Sequence, residues 1–536
     1  MPSALTYPGV YVEELPSGVR TITGVATSIA AFVGRAVRGE VDVPSILTSF
    51  EDFERRFGGI ADGYPMGFAV RDFFQNGGAT AVVVRVFAGD KKTAKIDVKG
   101  LKLQATSPGA WGDTLRVRID QDGVPAADLA TLFNLTVRDT NTGETESYSG
   151  LTIADKPRRY DRVLAASSSL LRAEPGQALA NAKPGNHDAL TAPDTPADLW
   201  KKDVYSDDVT TKSESAGDEI WTTKLDAADS GFVGNAGNKT GIYAFENTDL
   251  FNILVLTPHD DTKDVPNAIY QAALPYCVQR RAMMIVDPPR DWKDANDIAK
   301  TSYAKLTALN INGDAARNAA VYFPRVRELN PANGSIEVFP AGGLIAGVWA
   351  RTDVSRGVWK APAGVDAALS GAQGLANADD QSVYLTDGEN GLLNPVGINC
   401  LRQFPIVGRV IWGARTMRGA DASGDDYKYI PVRRLALFIE ESLYRGLKWV
   451  VFEPNDEPLW AQIRLNAGAF MHNLFRQGAF QGSSPRDAFF VKCDGATTTQ
   501  NDINLGIVNI IVGFAPLKPA EFVVLKIQQI AGQIQA

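Results

Sequence analysis

Apolar positions along this chain fall into three successive textures. In residues 27–34 (TSIAAFVG) and 80–87 (TAVVVRVF), small and β-branched apolar residues run together without alternation, the pattern of strands buried on both faces. Between them Phe50, Phe53 and Phe57 recur at helical spacing behind Ser49, a suitable N-cap, and residues 66–75 make a second helix ended by Asn76-Gly77-Gly78. The same texture resumes as strands over 249–257, 282–287 and 318–324, with helices over 265–280 and 294–309 between them. This alternation predicts a layered α/β domain with right-handed crossovers and a mainly parallel sheet.

The second texture interrupts the first. Residues 105–119 and 133–138 alternate apolar and polar with Gly and Asp turns, which predicts antiparallel strands. Residues 186–230 carry almost no apolar periodicity. An inserted, mostly β outer domain with long mobile loops facing solvent is expected here. Residues 350–364, punctuated by Gly357 and Pro362, read as a loop.

The third texture fills the last quarter. Leu435, Ile439, Leu443 and Leu447 form one helical stripe, and Leu459, Ile463, Phe470, Leu474 and Phe475 form another, with Pro458 in its first turn. A strand, a loop and another strand follow, and then a tail set off by Pro516 and Pro519. In that tail Phe522, Val523, Val524, Leu525 and Ile527, with Lys526 among them, are apolar on both faces of a strand. At the other terminus Tyr7, Pro8, Gly9, Val10, Tyr11 and Val12 are extended by their chemistry and too short to fold alone. Each is a strand that needs a sheet, in its own chain or in a neighbour's.

Composition removes several classes of function. A net charge of -8 and a pI near 5.2, without a basic block, exclude a phosphate-tracking surface. No apolar run reaches the length of a membrane span, and the first twenty residues have neither a basic start nor a long apolar core, so synthesis and folding in the cytoplasm are expected. Cys277, Cys400 and Cys493 are sparse and far apart, as in a reduced chain with buried thiols.

Candidate chemistry is thin. Of His187, His259 and His472, only His259 follows a buried strand, where α/β enzymes place catalytic groups. No G-x-S-x-G elbow, C-x-x-C or H-E-x-x-H is present, so no catalytic, cofactor or metal site is expected. Asp379-Asp380 and Asp425-Asp426 read as solvated loops. Arg433 and Arg434, with Arg464 and Arg476, read as a solvated polar face or as a docking face for an acidic partner. Arg464 and Arg476 lie about 120° apart around a helix.

A set of segments in one order resembles the contractile tail sheath proteins of myophage tails and related contractile injection systems. It begins with Tyr7-Pro-Gly-Val-Tyr-Val-Glu-Glu14, Ala31-Phe-Val-Gly34, Phe57-Gly-Gly59, Phe73-Phe-Gln-Asn-Gly-Gly78 and Ser107-Pro-Gly-Ala-Trp-Gly112. Ile285-Val-Asp-Pro-Pro289, Arg356-Gly-Val-Trp-Lys-Ala-Pro-Ala363 and Trp412-Gly-Ala-Arg-Thr416 follow. The densest are Tyr429-Ile-Pro-Val-Arg-Arg434, Val451-Phe-Glu-Pro-Asn455 and Ala515-Pro-Leu-Lys-Pro-Ala-Glu-Phe522. The likeness covers nearly the whole chain except residues 186–230.

The resemblance implies a non-enzymatic mechanical protein of the virion tail or an equivalent injection particle, assembled in the bacterial host cytoplasm. Such proteins stack as hexameric rings around a tail tube, between baseplate and tail terminator proteins, and contract from a metastable extended state. They neither bind nucleic acid directly nor insert in a membrane. The implied layout has linker arms at 1–20 and 516–536, a middle α/β domain at 21–90 and 236–395, the outer β-rich domain at 91–235, and a tube-facing α+β domain at 396–515. Terminal strands exchanged between subunits complete that last domain. Arg464, Asn473 and Arg476 are its candidate tube-facing residues. The competing readings are a subtilisin-like α/β hydrolase, which requires a clustered Asp, His and Ser, and a tail structural protein that never contracts.

Overall fold

A computed structural model describes residues 20–87, 92–213 and 231–526. Residues Tyr7 to Val12 and Ile527 lie outside them. The chain divides into two units, one of Ser28–Arg351 with Ala363–Asp425, the other of Met1–Thr27 with Thr352–Pro362 and Asp426–Ala536.

In the first unit the unbroken apolar runs pair as expected. Ile398–Phe404, Ala319–Phe323, Met283–Val286, Ile253–Leu256, Ile29–Gly34 and Thr80–Arg85 are six consecutive parallel members of an eight-stranded sheet. Ala30, for example, stands between Ile253 and Ala81. Ala31, Phe32, Val33, Leu254 and Ile285 are wholly buried, so both faces are covered. Gly408–Trp412 and Ser45–Leu47 close the two edges antiparallel. The edge strand Gly408–Trp412 is itself covered: Gly364 N–H donates to Ile411 O (2.9 Å), Ile411 N–H to Ala367 O (3.0 Å) and Leu369 N–H to Arg409 O (2.9 Å).

The helix Phe50–Phe57 starts at Ser49, whose hydroxyl accepts from Asp52 N–H at 3.3 Å, and ends on left-handed Gly58. The helix expected over 294–309 forms as Ala295–Thr307 with Lys300 to Tyr303 out of helical geometry. A larger departure is the helix Gly342–Arg356, which occupies part of the expected loop at 350–364. Ala341 to Ala350 are all buried, so this segment shows no amphipathic period to read. Its glycines seat it closely: a Cβ on Gly343 would stand 2.2 Å from Ala69 O, and one on Gly347 2.6 Å from Phe73 O.

Strand Arg325–Leu329 pairs with Ile336–Phe339 and Gly374–Ala376 in a smaller sheet. It carries Glu328, buried beside Asp72, with one guanidinium, that of Arg71, bonded to both carboxylates. Glu328 Oε1 is buried without a partner. Two buried carboxylates share one positive charge, and burial and Asp72 hold Glu328 well above its ordinary 4.5. A raised carboxyl pKa in the folded state gives stability that is complete below 4.5 and lost as pH rises through the folded value. Glu328→Gln is therefore expected to raise stability at pH 8 by about 1–3 kcal/mol, the order of a buried polar group's desolvation penalty, because the amide has no proton to lose and no charge to bury. Little change is expected at pH 4. Urea melts at both pH values check this, and an equal effect at the two would reject it.

The inserted region forms antiparallel sheets as expected: Asp207–Asp208, Leu115–Asp120, Phe133–Asp139 and Thr145–Leu151 in one, Lys95–Val98, Leu101–Ala105 and Leu171–Ala173 in the other. Trp111, Val117, Phe133, Val137 and Leu164 share their core. Residues 186–213 depart from the expected loose loops. Arg116 bonds Ser206 Oγ (3.0 Å) and Asp203 (2.6 Å), and Arg118 bonds the carbonyls of Asp188 and Tyr205 (both 2.9 Å). His187, expected in a disordered-looking loop, is buried and accepts from Ile119 N–H at 2.9 Å through Nδ1. Polar ties rather than an apolar stripe hold this segment, which is why periodicity gave no sign of it.

In the second unit the helices Ile430–Gly446 and Glu457–Arg476 bring Leu435, Ile439, Ala467, Phe470, Met471 and Leu474 into one core. Residues 20–27 lie along both helices. Arg20 N–H donates to Asn466 Oδ1 (3.1 Å) and Val25 N–H to Ser442 Oγ (3.2 Å), while Ile22 sits over Gly446. Residues 20–27 thus group with the C-terminal unit, and strands Ile398–Phe404 and Gly408–Trp412 belong to the large sheet.

Candidate subunit-linking surface

Downstream of the second long helix, Phe489–Lys492 pairs antiparallel with Ile511–Phe514 in the register Phe489 to Phe514 and Lys492 to Ile511. One face of this pair, Phe489, Val491, Val512 and Phe514, packs on the helical core. The other shows Phe490 and Ile511 to solvent. Among the described residues no third strand joins it. A two-stranded sheet is marginal alone, and each outer edge presents a row of backbone donors and acceptors.

The expected tail strand lies a short way downstream. Ala515 N–H donates to Ala488 O, and Pro516 makes an isolated bridge with Phe480. Tyr429 Oη lies 3.1 Å from Glu521, and residues 522–526 after it have no regular structure. Phe522, Val523, Val524 and Leu525 are 76%, 81%, 78% and 81% exposed, and Lys526 is exposed too.

The candidate tube-facing residues separate. Asn473 and Arg476, three residues apart, are both exposed on the second helix. Arg464 is turned to its own unit: it pairs with Glu457 at 2.5 Å and donates to the Cys493 carbonyl. Arg434, expected on a solvated or docking face, is buried. Its Nη1 and Nη2 grip the two oxygens of Asp353 at 2.7 and 2.6 Å, and Nη2 also reaches Thr27 O at 2.9 Å. Asp425, expected in a solvated loop, is likewise buried against Arg317 (2.9 Å) and Arg418 (3.3 Å).

The strand ends of the large sheet test the hydrolase reading. His259 stands where expected, but its Nδ1 lies 2.8 Å from Asp260 Oδ2 and its carbonyl accepts from Arg35 Nη1 at 3.0 Å. Asp287, at the next strand end, is pushed up to about 7 by burial and accepts from Gly342 N–H at 3.0 Å. Beside it Arg325 pairs with Asp264. The two cavities there measure about 30 and 10 Å³, room for a water or two and far below a substrate pocket. Asp62, Asp261 and Glu337 bring carboxylate oxygens within 4.8 Å of one another. Asn330, Asn333 and Ser335 already donate to Glu337, and Gly63 N–H to Asp261.

Comparison with known proteins points to tail sheath proteins. Residues 231–417 match the phage tail sheath protein central domain and residues 422–530 the phage tail sheath C-terminal domain. The tail sheath protein of Burkholderia phage BcepMu is 25% identical over 265 residues, 48% of this chain and 54% of that protein. The tail sheath protein of Vibrio phage KVP40 is 27% identical over 187 residues, 35% of this chain and 26% of that one. The chain thus spans about half the length of the first curated relative and about a quarter of the second. Among solved structures, the PVC sheath complex of an extracellular contractile injection system in the contracted state shares the fold (TM-score 0.56, 21% identity, 98% of both chains). So does the contracted helical sheath of the anti-feeding prophage (0.54, 23%, 98% of this chain and 99% of that one). A sheath tail protein from Listeria innocua does the same at 11% identity (0.56, 93% and 96%). With both family domains matched over more than half its length, the chain belongs to the contractile tail sheath family.

Proposed function

We propose that this chain is the structural subunit of a contractile sheath, polymerising as stacked hexameric rings around a tail tube and contracting from a metastable extended state to drive the tube through an envelope. The observation that carries the reading is an unmatched pair. Among the described residues, the apolar tail Phe522 to Leu525 joins no sheet, and no third strand joins the sheet of Phe489–Lys492 and Ile511–Phe514. A tail strand and the N-terminal strand at Tyr7 to Val12, each supplied by a neighbour, would complete a four-stranded sheet and link subunits into a mesh. The contracted state of the solved relatives favours a contractile over a rigid tail protein. Contraction is then a rigid-body rearrangement between two packings, with baseplate and terminator proteins bounding the polymer.

On this reading residues 91–235 face outwards, and the helix Glu457–Arg476 meets the tube through Asn473 and Arg476 rather than Arg464, which Glu457 already engages. Electron microscopy of the purified protein tests the proposal: hollow helical tubes or rings are expected, and a persistent monodisperse monomer would defeat it. Arg476→Glu should still form tubes while losing co-assembly with the tail tube protein. Unchanged co-assembly would remove this helix from the tube interface.

A further inference from the structure

The loop between the two long helices of the second unit carries a bulky residue under strain. Phe452 has φ +72° and is fully exposed, a left-handed backbone that L-residues with large side chains rarely take up. The loop around it is fixed. Glu453 N–H donates to Val450 O (3.2 Å), and Asn455 bridges Trp460 Nε1 (2.9 Å) and Ile507 O (3.0 Å). Inward, Trp449 and Val450 pack with Leu459, Trp460, Ile463 and Ile510. Strain that presents an aromatic ring to water does nothing for the isolated chain, and such outliers persist where the surroundings over-determine them for a purpose.

The position of the loop indicates what covers it. The bond from Asn455 to Ile507 sets it beside exposed Leu505 and Ile507, and this segment leads into strand Ile511–Phe514, where Ile511 is exposed again. Exposed apolar side chains thus recur at Phe452, Leu505, Ile507 and Ile511, the last on the sheet that receives a neighbour's strand in the reading above, on which this inference rests. We propose that Phe452 is the aromatic anchor of a contact with a second copy of this chain, buried as that copy's strand joins the sheet. A rigid aromatic knob beside a strand-accepting edge has the character of an interface hot spot.

Phe452→Asn separates anchor from fold, because asparagine accepts left-handed backbone. The thermal midpoint of the monomer is expected to hold or rise by about 1–3 °C. The critical concentration for tubes should rise at least about tenfold through the lost apolar burial, and Phe452→Tyr should polymerise like the parent. A tube threshold unchanged in Phe452→Asn, or a midpoint that falls sharply, overturns the proposal. A parent chain that forms no tubes at all defeats polymerisation itself, and this inference with it.

Discussion

A chain cut after Lys518 is expected to keep its thermal midpoint and to form no tubes. Among the described residues removed, Phe522 to Leu525 are more than three-quarters exposed and so contribute little to the isolated fold. In an assembly the same residues would make about four backbone bonds at roughly 0.5–1.5 kcal/mol each, with apolar side chains burying about 1.5–3 kcal/mol apiece. Against this stands an association cost of about 4–15 kcal/mol. On the proposed reading the strand would be the margin by which each junction holds, and the cut would remove it from every junction together. Sedimentation velocity beside electron microscopy reads both halves of the expectation. Tubes of ordinary length from the truncated chain would sink strand exchange through the tail.

Arg434→Ala is expected to lose about 3–5 kcal/mol of stability, the usual result of stranding one partner of a buried ion pair. The side chains of Arg434 and Asp353 are 4% and 2% exposed, and the guanidinium satisfies three oxygens at once, two on Asp353 and one on Thr27. Arg434→Lys should recover only part of this, because an ammonium cannot reproduce the planar fork. Replacing both partners by Met and Leu should return most of the loss, since the stranded charge is gone. Urea melts of the two single variants and the double decide it: a double variant no better than Arg434→Ala alone contradicts the assignment.

Much of this fold was legible because its central strands are buried on both faces, and such strands are written as unbroken apolar runs: Ala31 to Val33, Val82 to Val84, Ile253 to Leu256. The helices Phe50–Phe57, Ile430–Gly446 and Glu457–Arg476 could be read because each lies at a surface and keeps one apolar stripe. Helix Gly342–Arg356 was missed for the opposite reason, being covered nearly all round in its first half. Residues 186–213 were missed because Arg116 and Arg118 organise them through carbonyls and hydroxyls, contacts with no period. Single-residue readings were weakest. Nothing in the spacing of Arg433 and Arg434 says that the second meets Asp353, some eighty positions away, and nothing marks Phe452 as left-handed and exposed. The tail reads in the sequence as a strand in need of a sheet, and among the described residues Phe522 to Lys526 lie in no strand.

The edges of the large sheet bear on how a polymer of this chain would avoid mistakes. Gly408–Trp412 is taken up by residues 364–369, and Ser45–Leu47 is only three residues long, so the large sheet offers stray strands little to capture. Open among the described residues is the four-residue ladder of Phe489–Lys492 and Ile511–Phe514. A strand laid there in the wrong register gains only a few bonds and can leave again. Proofreading of growth would then follow from shortness alone, with correct placement secured only when further contacts close around it.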